Sequence, residues 1–315
     1  MNKQSKVSIC IPTYNRSDIL PIAVKSAINQ TYKNLEIIIS DNNSSSEHWA
    51  INQQLITYDP RIRLHRNDLN LGFAGNLNEC IKIAKGDLII FLCDDDELLP
   101  MIVEKEVGLF NTFPDLGLVH SDGFDCSIIE KRRNVNYPTI LNAGDEAVHK
   151  IFLEMTILFS SVMVKRKCYE ELGYFMNSFS PDWEMWARIG SKYAIGFINE
   201  PLAKFNSHSV SNRNPKEFLN DWNCLKDKIL TYFKVVDKHR IDIEYKNILG
   251  KTFFNIGYQA FKECSFKLGI KYFATGLPYI SLFDFCKYLL ILIIKLPIAI
   301  LKNKLISKVS RQTHV

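Results

Sequence analysis

The chain has 315 residues, of which 47% are hydrophobic, and a formal net charge of +5. This length suits one large domain or two modest ones, with ample apolar residues for a core. The positive charge is local, since residues 285–315 hold six basic residues and no acidic ones, which leaves 33 basic and 34 acidic residues elsewhere. A spread-out basic face is therefore not indicated, and nucleic acid is not an expected partner.

Two features predict a cytoplasmic protein. Residues 1–6 lead directly into a strand, without the apolar segment of a signal peptide. The eight cysteines are scattered without a CxxC pair, and several fall in apolar segments. That distribution favours free thiols in a reducing compartment over disulfides or a zinc site.

Predicted strands and helices alternate along the first part of the chain. Apolar runs predict strands at residues 7–11, 35–40, 62–65, 88–92 and 116–120. Helical periodicity predicts helices at about residues 17–29, 74–84 and 102–113. This alternation predicts βαβ units in a mostly parallel sheet flanked by helices. The glycine patterns of dinucleotide-binding and P-loop proteins are absent.

The second part of the chain is less regular. Residues 122–148 have weak periodicity and a basic run at 131–133, which indicates a loop region. The patterns predict strands at residues 159–166 and 193–198, a short helix at 168–172 and a helix beginning near Asp182. We expect three segments: residues 1–208 as the main domain, 209–275 as a helical appendage and 276–315 as a basic apolar tail.

The most informative stretch is the apolar run at residues 88–92, which is followed by Asp94, Asp95 and Asp96. Ligands of open parallel sheets lie beyond the carboxyl ends of the strands. Adjacent carboxylates repel one another unless a cation or strong donors stabilise them, and Mg²⁺ takes oxygen ligands of this type. The alternative is a solvated acidic turn that caps the next helix.

Four motifs in this order carry a family resemblance. They are VSICIPTYNR at residues 7–16, EIIISDNNSS at 36–45, NLGFAGN at 70–76 and GDLIIFLCDDD at 86–96. Over about its first two thirds, the chain resembles family 2 glycosyltransferases, which have the Rossmann-like GT-A nucleotide-sugar-binding fold. The resemblance implies an inverting enzyme that uses a UDP-sugar or dTDP-sugar with Mg²⁺ or Mn²⁺. It also implies a glycan acceptor, on a lipid carrier, in surface-polysaccharide assembly of the O-antigen or capsule type.

The resemblance assigns metal and donor sites. The family's acidic motif falls on residues 94–96, although Cys93 replaces its frequent first aspartate. Asp95 is the expected direct metal ligand, Asp96 supports the metal site, and Asp94 binds ribose or metal. Asp41 is expected to accept the imide N–H of the base, with an Asx turn as the alternative. The other expected nucleotide-sugar contacts are Pro12, Thr13, Tyr14, Arg16, Asn43 and Asn76.

Asp182 is the predicted general base for the acceptor hydroxyl, because its neighbourhood resembles the family's acidic pair before an aromatic residue. Pro181 stands where the preceding acid is usual, so the match is partial. The alternative is a helix N-cap, and Glu184 is the second candidate base. Arg188 is expected to face a phosphate or to pair with a carboxylate. His208 is either a diphosphate or metal contact or a structural residue.

Two other functions compete with the enzyme. A nucleotidyltransferase would show a glycine-rich basic loop near its start, which residues 11–15 do not provide. A non-catalytic nucleotide-sugar-binding protein would be expected to lack the acids, yet Asp41, Asp95 and Asp182 are all present.

The tail is predicted to lie at a membrane surface. Residues 288–301 are strongly apolar but include Lys295 and Pro297, so a spanning helix is not expected. Flanking basic residues suit the anionic inner face of the cytoplasmic membrane, which predicts peripheral attachment. The alternatives are a packed core helix or an oligomer contact.

Overall fold

The computed structural model describes residues 4–126, 131–133, 135–154, 157–178, 180–206, 214–234, 237–262, 265–281 and 284–289. Its strands are β1 Val7–Thr13, β2 Leu35–Asp41, β3 Ile62–Arg66, β4 Leu88–Phe91, β5 Glu97–Leu98, β6 Leu116–Asp125, β7 Lys131–Arg132, β8 Ile140–Leu141, β9 Val162–Lys165 and β10 Ala194–Phe205. Its helices are α1 Leu20–Ile28, α2 Ser46–Asn52, α3 Gly72–Ile83, α4 Ile102–Thr112, α5 Asp145–Glu154, α6 Arg166–Leu172, α7 Pro181–Gly190, α8 Pro215–Leu230, α9 Lys238–Lys262 and α10 Phe266–Gly276.

One mixed sheet has the strand order β3-β2-β1-β4-β9-β6-β10-β5. Strands β3, β2, β1 and β4 are parallel to one another, and β6 is parallel to β10. Strand β9 is antiparallel to both β4 and β6, and β5 is antiparallel to β10. The predicted mostly parallel sheet flanked by helices is confirmed.

The unbroken apolar runs form the centre of this sheet. Every residue of β1, β2 and β4 is buried, as expected for strands covered on both faces. Helix α1 contributes Leu20, Ala23, Val24 and Ala27 to the same core. The parallel register aligns Thr13 with Asp41, so the polar residues after β1 and β2 come out at one edge.

The structure differs from the predicted elements mainly in the irregular region. Strand β6 continues to Asp125 because it pairs with β10, which itself runs through Pro201 with register shifts. Helix α5, which was not predicted, buries Ala147, Val148 and Ile151 on one face. Helix α2 was also missed. The predicted strand at 159–166 begins only at Val162, since Phe159–Ser161 forms a 3₁₀ turn.

The described chain divides into two compact units. The first comprises residues up to 206 together with 225–234, and the second comprises 214–224 and 237–289. In the second unit, α9 and α10 approach closely at glycines: a Cβ atom on Gly257 would lie 2.3 Å from the ring of Phe273. The rings of Phe218, Phe253 and Tyr272 fill the core beside them.

No helix in the described ranges combines the length and the apolarity that crossing a bilayer requires. The part of the predicted membrane-surface tail that follows residue 289 lies outside the described residues.

Candidate active site

The carboxyl ends of β1, β2 and β4 bring the predicted donor residues together. Thr13 ends β1, Asp41 ends β2, and Asp94 follows β4 by three residues. Thr13 Oγ1 donates a hydrogen bond of 2.8 Å to Asp94 Oδ2, which links the first and fourth motifs directly. These loops meet because the three strands are parallel neighbours in the sheet.

Arg16 binds two of the three aspartates. Its Nη1 donates to Asp94 Oδ1 at 2.8 Å, and its Nη2 donates to Asp95 Oδ2 at 2.7 Å. Burial raises the pKa of Asp94, while the bonds from Thr13 and Arg16 act in the opposite direction. The guanidinium therefore offsets much of the repulsion between adjacent carboxylates.

Asp96 is held by residues from distant parts of the chain. Ser160 Oγ donates to Asp96 Oδ2 at 2.5 Å, and the backbone N–H of Asn206 donates to Oδ1 at 3.2 Å. Ser160 also accepts from the backbone N–H of Cys93 at 3.1 Å, and Asn206 Nδ2 donates to the carbonyl of Asp95 at 2.7 Å. No sequence pattern marks Ser160 or Asn206 for this role, although both form hydrogen bonds with the aspartate loop.

The aspartate loop has the donor set of a hard-cation site. One potential ligand atom from each of Cys93, Asp95 and Asp96 lies within 4.8 Å of the others. Burial, followed by the nearby Asp96 carboxylate, raises the pKa of the Cys93 thiol well above its ordinary value. Because a neutral thiol is a poor ligand for hard cations, the two carboxylates are the fitting ligands for Mg²⁺ or Mn²⁺.

Asp41 is completely buried and already accepts two hydrogen bonds. The backbone N–H of Ser44 donates to Oδ1 at 2.8 Å, and Asn52 Nδ2 donates to Oδ2 at 2.9 Å. The bond to Ser44 spans three residues, whereas the Asx turn that was the alternative prediction spans two, so Asp41 stabilises a local turn of another kind. Each carboxylate oxygen retains a second lone pair. Asn52 Oδ1 is buried with no hydrogen-bond partner in the part of the chain that the structure describes.

The loops after β1 and β2 each contain an asparagine with positive φ, and Asn15 joins the two loops. Asn15 has φ 53° and Asn43 has φ 64°, a conformation that is uncommon outside glycine. The N–H of Asn15 donates to Ser44 Oγ at 2.9 Å, and Asn15 Oδ1 accepts from the N–H of Ser45 at 2.8 Å. Backbone held in such positions is often associated with ligand sites. Tyr14, which precedes Asn15 in the loop after β1, is 45% exposed.

Asn76, by contrast, uses its amide within the fold. It donates to the carbonyl of Ser40 at 3.0 Å and accepts from Ser40 Oγ at 2.7 Å and from Asn67 Nδ2 at 3.0 Å. The residue is buried on α3. These contacts fasten α3 to the end of β2. Pro12 is likewise buried within β1, paired with Ser40 across the sheet.

Asp182 is the second residue of α7, whose N-cap is Ser180, so the alternative N-cap assignment for Asp182 is wrong. The side chain is half-buried. Burial raises its pKa to about 6, against the smaller opposing effect of hydrogen bonds from its own N–H and that of Trp183. A carboxylate of this basicity suits proton abstraction near neutral pH.

Glu184 and Arg188 form an internal ion pair. Arg188 Nη2 donates to Glu184 Oε2 at 2.8 Å, and the hydroxyl of Tyr232 donates to Oε1. Arg188 also donates to the carbonyls of Leu172, at 2.7 Å, and Tyr174, at 2.9 Å. Of the two expectations for Arg188, pairing with a carboxylate is the one seen. His208 lies outside the described residues.

An exposed aromatic side chain adjoins this region. Phe73, at the start of α3, is 51% exposed, and its ring centroid lies 5.8 Å from that of Phe159. Phe159 precedes Ser160 and lies 6.3 Å from the buried ring of Trp186. Trp186 is thus a core residue, and Phe73 is a surface ring linked through Phe159 to the aspartate loop.

The sheet order and the acids at its strand ends are typical of the GT-A fold, and the comparisons agree. The family model described as Glycosyl transferase family 2 matches residues 8–173, which is more than half of the chain. The chain belongs to this family.

Two curated relatives are bacterial enzymes. A GalNAc(5)-diNAcBac-PP-undecaprenol beta-1,3-glucosyltransferase of Campylobacter jejuni is 44% identical over 132 residues, 42% of this chain and 41% of the relative. The UDP-Glc:alpha-D-GlcNAc-diphosphoundecaprenol beta-1,3-glucosyltransferase WfaP of Escherichia coli is 30% identical over 229 residues, 70% of this chain and 85% of the relative. The chain spans 36–41% of the length of the first three curated relatives that it matches.

A solved structure shows the same fold. S. aureus TarS 1-349 in complex with UDP-GlcNAc superposes with a TM-score of 0.61, covering 87% of this chain and 89% of that one. Its sequence identity is 12%, so the likeness concerns the fold alone. The GT-A expectation is confirmed.

Proposed function

We propose that this protein is an inverting glycosyltransferase that moves a sugar from a UDP-sugar to a hydroxyl of a lipid-linked glycan. The observation that carries the proposal is the junction of Thr13, Arg16 and Asp94 at the carboxyl ends of neighbouring parallel strands. Such an edge is where open α/β sheets bind nucleotides. We further propose that the protein works at the cytoplasmic face of the membrane, in polysaccharide assembly of the O-antigen or capsule type.

The nucleotide is proposed to lie along the loops after β1 and β2. Asp41 and the buried acceptor Asn52 Oδ1 offer oxygens to an imide N–H, which uracil and thymine have and adenine lacks. Asp94 would accept from a ribose hydroxyl. The side chain of Arg16 is 39% exposed, so it can donate to the diphosphate from the same edge.

Asp95 and Asp96 are the proposed ligands of Mg²⁺ or Mn²⁺. A bound divalent cation would neutralise charge that develops on the leaving diphosphate. Hydrogen bonds from the protein orient the two carboxylates. Ser160 and Asn206 donate to Asp96, and Arg16 donates to Asp95. Metal dependence follows if these two carboxylates are the ligands.

Asp182 is the proposed base. With a pKa of about 6, it is mostly ionised at neutral pH yet more basic than an ordinary aspartate. It would take the proton of the acceptor hydroxyl as that oxygen attacks the anomeric carbon, in one displacement that inverts the configuration. Glu184 is a weaker candidate, because it is buried and bonded to Arg188 and Tyr232.

The relatives guide the choice of substrate. Because WfaP is a UDP-glucose-dependent enzyme that acts on a GlcNAc-diphosphoundecaprenol, UDP-glucose and a HexNAc-diphospholipid are the first pair to test. A dTDP-sugar is the second donor class. The exposed ring of Phe73 is a suitable stacking surface for a sugar of the acceptor.

The test is a transfer assay with the purified chain, radiolabelled nucleotide sugars and a HexNAc-diphospholipid, with Mn²⁺ or with excess chelator. We expect one nucleotide sugar to give a labelled lipid product, and chelator or Asp95→Ala to abolish it. Asp68→Ala, at an exposed aspartate, is the matched control and should retain transfer. Donor binding without transfer or hydrolysis, with any donor, would favour a non-catalytic nucleotide-sugar-binding protein.

A further inference from the structure

Helix α10 in the second unit presents an exposed apolar stripe. Phe266 is 51% exposed, Ile270 61%, and Leu277, just past the helix, 51%. Because these positions are separated by four and seven residues, they lie along one side of the helix. Exposed large apolar side chains that repeat along one helix face are characteristic of a surface that binds a protein, a membrane or a ligand.

An adjacent side of α10 supplies most of the packing. Gly269, Tyr272 and Gly276 are the buried residues of this helix. The ring of Tyr272 lies 5.7 Å from that of Phe253, and Gly269 lies against Gly257 of α9. Of the stripe, Phe266 also contacts α9, with its ring centroid 5.9 Å from that of Phe261, yet 51% of Phe266 remains exposed.

Two lysines, Lys267 and Lys271, lie beside the stripe and are exposed. Between residues 265 and 281 the sequence contains no aspartate or glutamate, and from 265 to 315 it contains eight basic residues and one acidic residue. An open recess of about 520 Å³ is lined by both lysines together with Phe266. Positive charge beside exposed apolar side chains matches an anionic lipid surface, where headgroups meet acyl chains.

We infer that the α10 stripe, formed by Phe266, Ile270 and Leu277 with the flanking Lys267 and Lys271, docks on an anionic phospholipid bilayer. A second copy of the chain fits less well, since a symmetric contact would place like-charged lysines opposite one another. The inference extends the proposed function, because a lipid-linked acceptor lies at a bilayer. Its test, however, requires neither donor nor acceptor.

The experiment is flotation of the full chain with vesicles of phosphatidylcholine alone or with 30% phosphatidylglycerol. We expect binding to the anionic vesicles that weakens as salt rises. Lys267→Gln/Lys271→Gln should lower the partition coefficient roughly 25-fold, at about fivefold for each lysine near the surface. Phe266→Glu/Ile270→Glu should lower it at least as much, since insertion is lost as well.

Ile243→Glu/Lys246→Gln is the matched control, because Ile243 is 49% exposed on α9 in the same unit and Lys246 is exposed beside it. This control should float like the wild type.

Equal flotation of the α10 variants and the wild type, or no flotation of the wild type with either vesicle, would overturn the inference. Loss of a dimer in the α10 variants with unchanged vesicle binding would assign the stripe to self-association and would also overturn it. Transfer to a detergent-soluble acceptor, measured separately, tests the proposed function without the bilayer.

Discussion

Ser160 Oγ donates to Asp96 Oδ2 at 2.5 Å, although the two residues are 64 positions apart in the chain. Ser160 is completely buried and also accepts from the N–H of Cys93. One hydroxyl therefore orients the second proposed metal ligand and fixes the loop that carries all three aspartates.

Ser160→Ala is expected to weaken Mn²⁺ affinity about 10- to 100-fold, the usual effect of removing a residue that orients a ligand. The reason is that Asp96 Oδ2 loses its donor while the carboxylate stays. Titration calorimetry or manganese EPR without donor measures this directly. Ser161→Ala is the neighbouring control, because its hydroxyl donates to the carbonyls of Ser121 and Leu158 instead. Equal Mn²⁺ affinity in Ser160→Ala and the wild type would remove Asp96 from the metal site.

Asp41→Ala is expected to lower UDP affinity at least tenfold, since a buried acceptor for the base is lost. The same substitution also removes the turn bond to Ser44 and the bond from Asn52. Thermal unfolding of Asp41→Ala and of the wild type therefore reports the structural cost of losing these two bonds. If Asp41→Ala loses stability and still binds UDP like the wild type, Asp41 has a structural role alone.

Asp182→Asn is expected to reduce kcat about 10²–10⁴-fold with UDP affinity unchanged, because the base is lost and the shape is kept. In the wild type, kcat should rise with pH up to about 6 and then level off, since the carboxylate must be ionised to act. The variant should lack that rising limb. A variant within a few-fold of the wild type, with the limb intact, would move the base elsewhere.

Glu184→Gln separates a structural role from a catalytic one on the same helix. Its partner Arg188 would be left with an unpaired charge in a side chain that is only 13% exposed. Breaking such a pair costs about 3–5 kcal/mol of unfolding free energy. We expect a marked loss of thermal stability with kcat per folded molecule largely retained. A large drop in kcat at unchanged stability would instead make Glu184 a candidate base.

Glu106 makes stability depend on pH. It is completely buried in α4, without a hydrogen-bond partner among the described residues, and burial raises its pKa well above the ordinary 4.5. The folded state thus keeps a proton that the unfolded chain releases above about pH 4.5. The stabilisation from this bound proton is complete below that pH and is lost as pH rises. The free energy of unfolding falls by up to about 1.4 kcal/mol per pH unit until the pH reaches the pKa of Glu106 in the folded state.

Glu106→Gln should abolish this slope, which urea unfolding at pH 5 and pH 8 would measure. The exposed Glu104 gives the control Glu104→Gln, which should unfold with the pH dependence of the wild type. If the free energy of unfolding of Glu106→Gln depends on pH as strongly as that of the wild type, another buried group causes the pH dependence.

The clustering of the proposed donor residues was predictable because each of them follows a local sequence pattern. Thr13, Asp41 and Asp94 each follow an apolar run, and parallel pairing brings such strand ends to one edge. Ser160 and Asn206 carry no such signal, since Asn206 meets Asp96 across 110 positions. Likewise, nothing in the pattern around Glu184 indicated Tyr232 as its partner. Helix α5 was missed because its apolar residues begin inside a region of weak periodicity.

The antiparallel strand β9 also determines the order in which the molecule can assemble. Strands β1 to β4 pair with neighbours from the first third of the chain, whereas Leu88 on the other edge of β4 pairs with Lys165. A chain emerging from the ribosome therefore presents the apolar edge of β4 until β9 has been synthesised. Unpaired edges of this kind promote association with other chains. The loops proposed to bind the nucleotide can thus form early, while Ser160 reaches the aspartate loop only when β9 joins the sheet.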